Sequence, residues 1–283
     1  MSALKDVLLG AFLRFLRGER RMTLAQGADP LRKTDATLRR IELAEVPVSD
    51  RDLETLLDHY GARGWQREQA GRLRALGSLP LRVYPDDCPM TSAILGYLVD
   101  RADTVRAWSR FYIPLPLESF DYVRLLLEPT APLTDEQSMT VAAIRENDHK
   151  PTRCATVFIE QQVLYRAPGG SHRVMAQQIG RVLRLAQEQR VCVRIVSADT
   201  ASPPVDTMVI ELKNVRVTVE DMITFANYSI DQERLRISDA VLDSVAEMAL
   251  DTQASARKLR AALDWHRRRA AEATASAPSG GTS

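Results

Sequence analysis

The 283-residue chain has little of what compact reactive sites are usually built from: three cysteines, four histidines and 6% aromatic residues. Cys88, Cys154 and Cys192 lie far apart with no second Cys or His at ligand spacing, which excludes a zinc finger and argues against a disulfide scaffold. Buried thiols in a reducing cytoplasm are the expectation, and no metal site is expected. Long apolar runs are missing too. None approaches the roughly 18 residues that span a bilayer, and Asp6, Arg14 and Arg17 interrupt the N-terminal apolar stretch, so it does not read as a signal peptide. A membrane partner is therefore not expected. Charge of one sign is also absent: Lys and Arg number 38 against 37 Asp and Glu, for a net +1. Attraction to a polyanion must come from local clustering.

Catalytic signatures are missing as well. There is no G-x-S-x-G, P-loop, G-x-G-x-x-G after a strand, or H-E-x-x-H. His59, His149, His172 and His266 each stand without a neighbouring ligand or nucleophile in sequence, and read as surface or packing residues. Glu118 and Glu160 are the acids closest to catalytic candidates, but capping or an interior salt bridge is the favoured reading of both. A catalytic site and a cofactor are both unexpected; a pocket joining Glu118, Glu160 and His172 would reopen that reading.

What is present begins with helical periodicity. Leu9, Phe12, Leu13 and Leu16 form one apolar stripe with arginines opposite, on a helix that should end near Gly18. Thr23 can cap a short helix that stops at Asp29, because Pro30 follows. After a tight connection at 31–33, Thr34 caps a helix over 34–44 with Leu38 and Ile41 inward. Ser49 caps a fourth, with Leu53, Leu56, Leu57 and Tyr60 buried. A basic helix over 63–76 leaves this bundle. Residues 77–90 hold three prolines, Gly77 and Ser78 and read as a linker.

Beyond it the pattern is mixed. Residues 91–110, 118–127 and 134–148 read as helices, 156–159 as a buried strand, and a helix capped by Ser171 precedes a strand over 191–196. Runs 207–212 and 215–219 flank Lys213-Asn214 and suggest a hairpin. Two helices over 231–249 and 252–269 close the fold. Trp108, Phe111 and Tyr112 read as core. The expected architecture is mainly α with a smaller α+β part: a helix-turn-helix domain over 1–76, a linker over 77–90, a mixed α+β regulatory and dimerisation domain over 91–269, and a disordered tail over 270–283.

The spacing of the second and third helices is that of a helix-turn-helix, whose second helix can enter a major groove. Asp35, Ala36 and Arg39 project near its N-terminus, with Thr23, Arg32, Lys33, Thr34 and Arg40 around them. From Pro30 to Ile41 four cations face one carboxylate. The bland alternative is a solvated helix surface with Arg39 and Arg40 paired to acids such as Glu42. A second basic stretch over 257–269 reads as a solvated terminal helix.

Residues 8–61 resemble a lambda-repressor-like (Xre-type) helix-turn-helix domain through LGAFLRFLR at 9–17, MTLA at 22–25, TLRRIE at 37–42 and LLDHYG at 56–61. The remainder resembles the C-terminal domain of a large actinomycete regulator family that joins such a unit to a domain of unknown function, with many members called antitoxin-like. Its marks are IPLPLESFDYVR at 113–124, FIEQQVL at 158–164, VMAQQI at 174–179 and VCVRIV at 191–196. The resemblance implies a cytoplasmic, nucleoid-associated transcriptional regulator that binds double-stranded DNA as a homodimer, with the C-terminal domain receiving a ligand or partner protein. It points to Glu118, Tyr122 and Glu160 as ligand or partner residues. Three departures stand out: Arg32 replaces the glycine of the turn, Pro30 intrudes in the second helix, and Leu115, Pro116 and Glu118 replace Gly, Leu and Gln of the family's P-G-L-L-Q phrase. Pro30, Arg32 and the acidic Asp35 on the reading face motivate the alternative, an antitoxin-like protein-interaction module that sequesters a small partner encoded nearby and has lost specific DNA reading.

Overall fold

The computed structural model describes residues 4–76, 83–86, 91–129, 134–135, 155–221 and 226–275. The N-terminal part is helical: α1 (Leu4–Glu19), α2 (Leu24–Ala28), a 3-10 turn over Asp29–Leu31, α3 (Asp35–Glu42), α4 (Asp50–His59) and α5 (Trp65–Ala75). Thr23, Thr34 and Ser49 cap α2, α3 and α4, each side chain accepting from a backbone N–H in the first turn. At Thr23 the cap is reciprocal: Gln26 accepts from the Thr23 N–H at 2.8 Å.

The rest is a mixed sheet with helices. Strand β1 (Val83–Asp86) precedes α6 (Thr91–Arg101), then come β2 (Thr104–Ser109), α7 (Phe120–Leu127), β3 (Ala155–Glu160), α8 (His172–Gln187), β4 (Val191–Val196), β5 (Thr207–Leu212), β6 (Val215–Asp221), β7 (Ala226–Ser229), α9 (Gln232–Met248) and α10 (Thr252–Ala275). The seven strands lie in the order β1-β7-β6-β5-β2-β3-β4. β2, β3 and β4 run parallel; the other pairings are antiparallel. Alternation splits the faces: Val105, Ala107, Val157 and Ile159 join the main core, whereas Trp108, Phe158 and Val209 pack on Leu235, Leu242 and Val245 of α9. The mainly helical bundle followed by a mixed sheet and helices matches the expected fold class.

Several local expectations are corrected. The segment 91–110 is not one helix: α6 ends at Arg101 and β2 begins at Thr104. The residues there suit either state, and pairing to β3 and β5 on both sides decides it. Within 77–90, Val83–Asp86 form an edge strand on β7; the other residues of that segment lie outside the described ones. The terminal helix continues through Ala275, past the expected tail start at 270. The helix expected over 134–148 falls almost entirely outside the described residues.

The first helix also differs from a one-faced amphipath. Residues Val7 to Leu13, Phe15 and Leu16 are all buried, because α3, α5 and α6 all pack against this helix. One apolar cluster consequently runs from Val7 through Ile94 and Leu98 to the sheet. Arg14 and Arg17 are not solvated opposite that stripe: Arg14 reaches Asp100 at 3.4 Å, and Arg17 turns inward to Glu42.

Candidate nucleic-acid interface

The geometry of α3 is set from its buried side. Leu38, Ile41 and Glu42 point inward. Glu42 is 4% exposed, yet its charge is met: Arg17 Nε donates to Oε1 at 2.6 Å and Nη2 to Oε2 at 2.9 Å, while Nη1 donates to the Met22 carbonyl at 2.7 Å. That fork ties α1, the α2 entry and α3 together, and the hydrogen bond to Glu42 holds the Arg17 guanidinium above its ordinary range. The packing is close. A Cβ on Gly10 would meet the Ile41 carbonyl oxygen at 2.7 Å, and one on Gly27 would meet Arg17 and Leu38. His59 Nε2 lies 2.9 Å from the Gln26 carbonyl, bracing α2 against α4.

The outer side of this unit carries the candidate DNA contacts. Thr23, Arg32, Lys33, Thr34, Asp35, Ala36, Arg39 and Arg40 are all exposed. Their side chains differ in freedom. Thr23 and Thr34 are spent as caps. Lys33 Nζ is 2.6 Å from Asp52, and its hydrogen bond holds the Asp52 carboxyl below the usual range. Asp35 accepts from the Ala36 N–H at 2.7 Å. Arg40 lies 3.8 Å from Glu45. Glu42, the acid a plain solvated surface would pair with Arg39 and Arg40, is occupied by Arg17 instead. Arg32 closes the turn in the left-handed region, at φ 53 and ψ 36, where a glycine would be unstrained.

On the helix-wheel angle of α3, Ala36, Arg40 and Leu43 stand opposite the buried Leu38, Ile41 and Glu42. These outward residues and Arg39 form one wall of a cleft of about 540 Å³. The other wall is the β5–β6 turn, Leu212 to Val215, with Arg101 of α6. Lys213 Nζ comes within 3.8 Å of Glu45. Sequence periodicity marked the candidate residues of α3, but nothing in it could signal a hairpin turn some 170 positions away beside them.

In the body, Glu118 and Tyr122 sit where the phrase at 113–124 folds against α8. Gln178 Oε1 accepts from the Ser119 N–H at 2.7 Å and its Nε2 donates to the Leu117 carbonyl at 2.8 Å, so two segments of the family resemblance clasp each other. Tyr122 is buried, accepts from the Ile113 N–H at 2.9 Å, and its hydroxyl is pushed up by that burial. Glu160 is held elsewhere, by Arg110 at 2.8 Å and Ser202 at 2.9 Å. Asp206 completes that network through Ser109 and the Arg110 N–H, and desolvation raises its carboxyl. Neither the cleft beside α3 nor a second one among α8, β4 and α10 is lined by Glu118, Tyr122 or Glu160. Trp108 and Tyr112 are core, as their spacing suggested, whereas Phe111 is 50% exposed. Sequence reading missed a histidine pair: His172 Nδ1 and His266 Nδ1 are 2.8 Å apart, with His266 Nε2 at 2.9 Å from the Leu164 carbonyl.

This geometry defines a helix-turn-helix protein, and the comparisons agree. Residues 8–72 match the family model described as a helix-turn-helix domain. Residues 94–261 match the model described as Domain of unknown function (DUF5753), and the chain belongs to that family. No curated protein matches the chain. Among solved structures, an archaeal chromatin protein, TrmBL2, described as showing a novel mode of DNA binding, is similar at 10% identity and a TM-score of 0.31, covering 84% of this chain and 97% of its own. A TM-score at that level bears on neither fold nor function. Among the described residues, no helix is long and apolar enough to cross a membrane, and no cluster of His, Cys, Asp and Glu could hold a metal.

Proposed function

We propose that the protein is a DNA-binding transcriptional regulator of the Xre type, nucleoid-associated in the cytoplasm, in which α3 enters a major groove. The observation that carries this is the division of α3: Arg17 and Gly10 fix its inner side to α1, while Asp35, Ala36, Arg39 and Arg40 are exposed on the side a helix-turn-helix presents to DNA. In this reading residues 1–76 are the DNA-binding unit and 91–269 the regulatory body, which pairs two copies so that two reading helices meet a two-fold operator. Arg32, Arg40 and the N-terminal end of α3 position the phosphate backbone. Asp35, Ala36 and Arg39 touch base edges, a bidentate arginine–guanine contact being worth about 1–3 kcal/mol.

A gel-shift titration against the gene's own promoter region tests the reading. Wild type should give a saturable, salt-sensitive complex, and Arg39→Ala/Arg40→Ala should abolish it while retaining the wild-type melting temperature. Equal weak binding by both proteins would overturn it. A sequestered partner protein with no footprint on DNA would point instead to the antitoxin-like alternative.

A further inference from the structure

The cleft between α3 and the β5–β6 turn has the composition of a ligand site. Its volume, about 540 Å³, lies within the range of small-molecule pockets. Val7, Leu43, Leu98 and Val215 give it an apolar lining, and Arg39, Arg101 and Lys213 supply cationic heads. The acids of the cleft do not balance them. Glu42 is taken by Arg17, Glu45 is shared between Arg40 and Lys213, and Asp103 is exposed.

Arg101 is the informative residue. It is partly withdrawn from water and donates Nη1 to the Glu42 carbonyl at 2.7 Å, but no carboxylate lies within ion-pair distance of it among the described residues. Burial, reinforced by Arg14 and opposed more weakly by Glu42 and Asp100, pushes its guanidinium down to about 10. A cation so placed gains from an anion, because the desolvation is already incurred and Glu42 and Asp100 act on it only from beyond ion-pair distance. Arg39 likewise has no ion-pair partner among the described residues.

We propose that this cleft binds a small amphipathic carboxylate, its apolar body against Leu43, Leu98 and Val215 and its carboxylate on Arg101 with Arg39 or Lys213. The occupant would engage the outward residues of the reading helix and so release DNA. That effect on DNA rests on the functional reading above; the binding itself does not.

Isothermal titration of the full-length protein with 2-naphthoate, at constant ionic strength, tests the site. The neutral isostere 2-naphthamide and the small anion acetate separate the apolar from the charged requirement. Naphthoate should bind saturably at one per chain, with both comparators at least about tenfold weaker. Arg101→Gln should weaken naphthoate about tenfold, the worth of one charge-assisted hydrogen bond. Lys213→Gln, in an exposed turn that cannot compromise the core, should weaken it in the same direction, and Arg106→Gln, whose arginine pairs with Asp243 on the far side of the sheet, should not. No saturable binding, equal binding of the three probes, or wild-type affinity in both Arg101→Gln and Lys213→Gln would overturn the proposal. In a parallel gel shift, naphthoate should weaken the DNA complex of wild type but not of Arg101→Gln. A wild-type protein that never shifts DNA defeats the functional reading alone, since the calorimetry still decides the site.

Discussion

Arg17 and Glu42, 25 residues apart, meet in a two-pronged ion pair at 2.6 and 2.9 Å, with side chains only 13% and 2% exposed. A buried pair of this kind costs much of its attraction in desolvation, so its value lies in what happens when one partner is lost. Arg17→Met leaves a buried carboxylate without its fork and should lower stability by about 3–5 kcal/mol. The double change Arg17→Met/Glu42→Met removes both charges and should recover most of that loss. Urea unfolding of the two single variants and the double variant gives the coupling; additive losses would show that the pair does not hold α1 to α3.

The same junction depends on Gly10. A Cβ there would meet the Ile41 carbonyl oxygen at 2.7 Å, and backbone cannot swing aside as a flexible side chain can. Gly10→Ala should therefore cost about 1–3 kcal/mol despite alanine's better helix propensity. Gly71→Ala, in α5 where a Cβ meets nothing within 4 Å, should instead stabilise by about 0.4–1 kcal/mol. Thermal melts of the two variants should shift in opposite directions.

The contrast between those helices and β2 shows where sequence was sufficient. Thr23, Thr34 and Ser49 act within three residues of themselves, so the caps and the helix-turn-helix were legible from local pattern. Val105 and Ala107 are strand residues because Ala155 and Val157 on one side, and Ile210 and Met208 on the other, complete their ladder. Without those partners, a stretch following straight from α6 reads as more helix. β7 escaped for a related reason: its four residues carry too short a pattern to stand apart from a loop, and β1 and β6 on either side make it a strand. The candidate DNA-facing residues were legible as a helix face. The cleft that borders them was not, because its walls come from α3, α6 and the β5–β6 turn, which only the tertiary fold brings together.

The histidine pair gives a pH signature. Burial holds the His266 imidazole below its ordinary range, outweighing the hydrogen bond to the Leu164 carbonyl, which raises it; the adjacent His172 acts in the same direction as burial. His172 is the titratable group against it, and Trp265, with Arg269 stacked on its ring, packs beside both. A histidine whose folded value is depressed binds its proton more readily when unfolded. Its contribution to stability is therefore complete above about pH 6.5, the unfolded value, and is lost as the pH falls through the folded one. Urea midpoints should drop between about pH 7 and pH 5, and His266→Gln should flatten that slope. An unchanged slope in the variant would assign the titration to other groups.

Arg32 joins a left-handed turn conformation to a proposed phosphate contact, and the two can be separated. It holds φ 53 at the end of the Asp29–Leu31 turn, its N–H donating to the Asp29 carbonyl at 3.0 Å. A non-glycine residue in that conformation costs about 1 kcal/mol or more, and glycine's extra freedom in the unfolded chain offsets part of it, so Arg32→Gly should raise stability by up to about 1 kcal/mol. The same change removes an exposed cation beside α3. DNA affinity should fall, and the slope of log K against log salt should shrink by about 1, because one phosphate contact fewer releases one counterion fewer. Arg32→Ala provides the control: it loses the charge but keeps the strained backbone, and should match Arg32→Gly in salt slope but not in melting temperature. A wild-type slope in both variants would remove Arg32 from the interface and leave it as a turn residue alone.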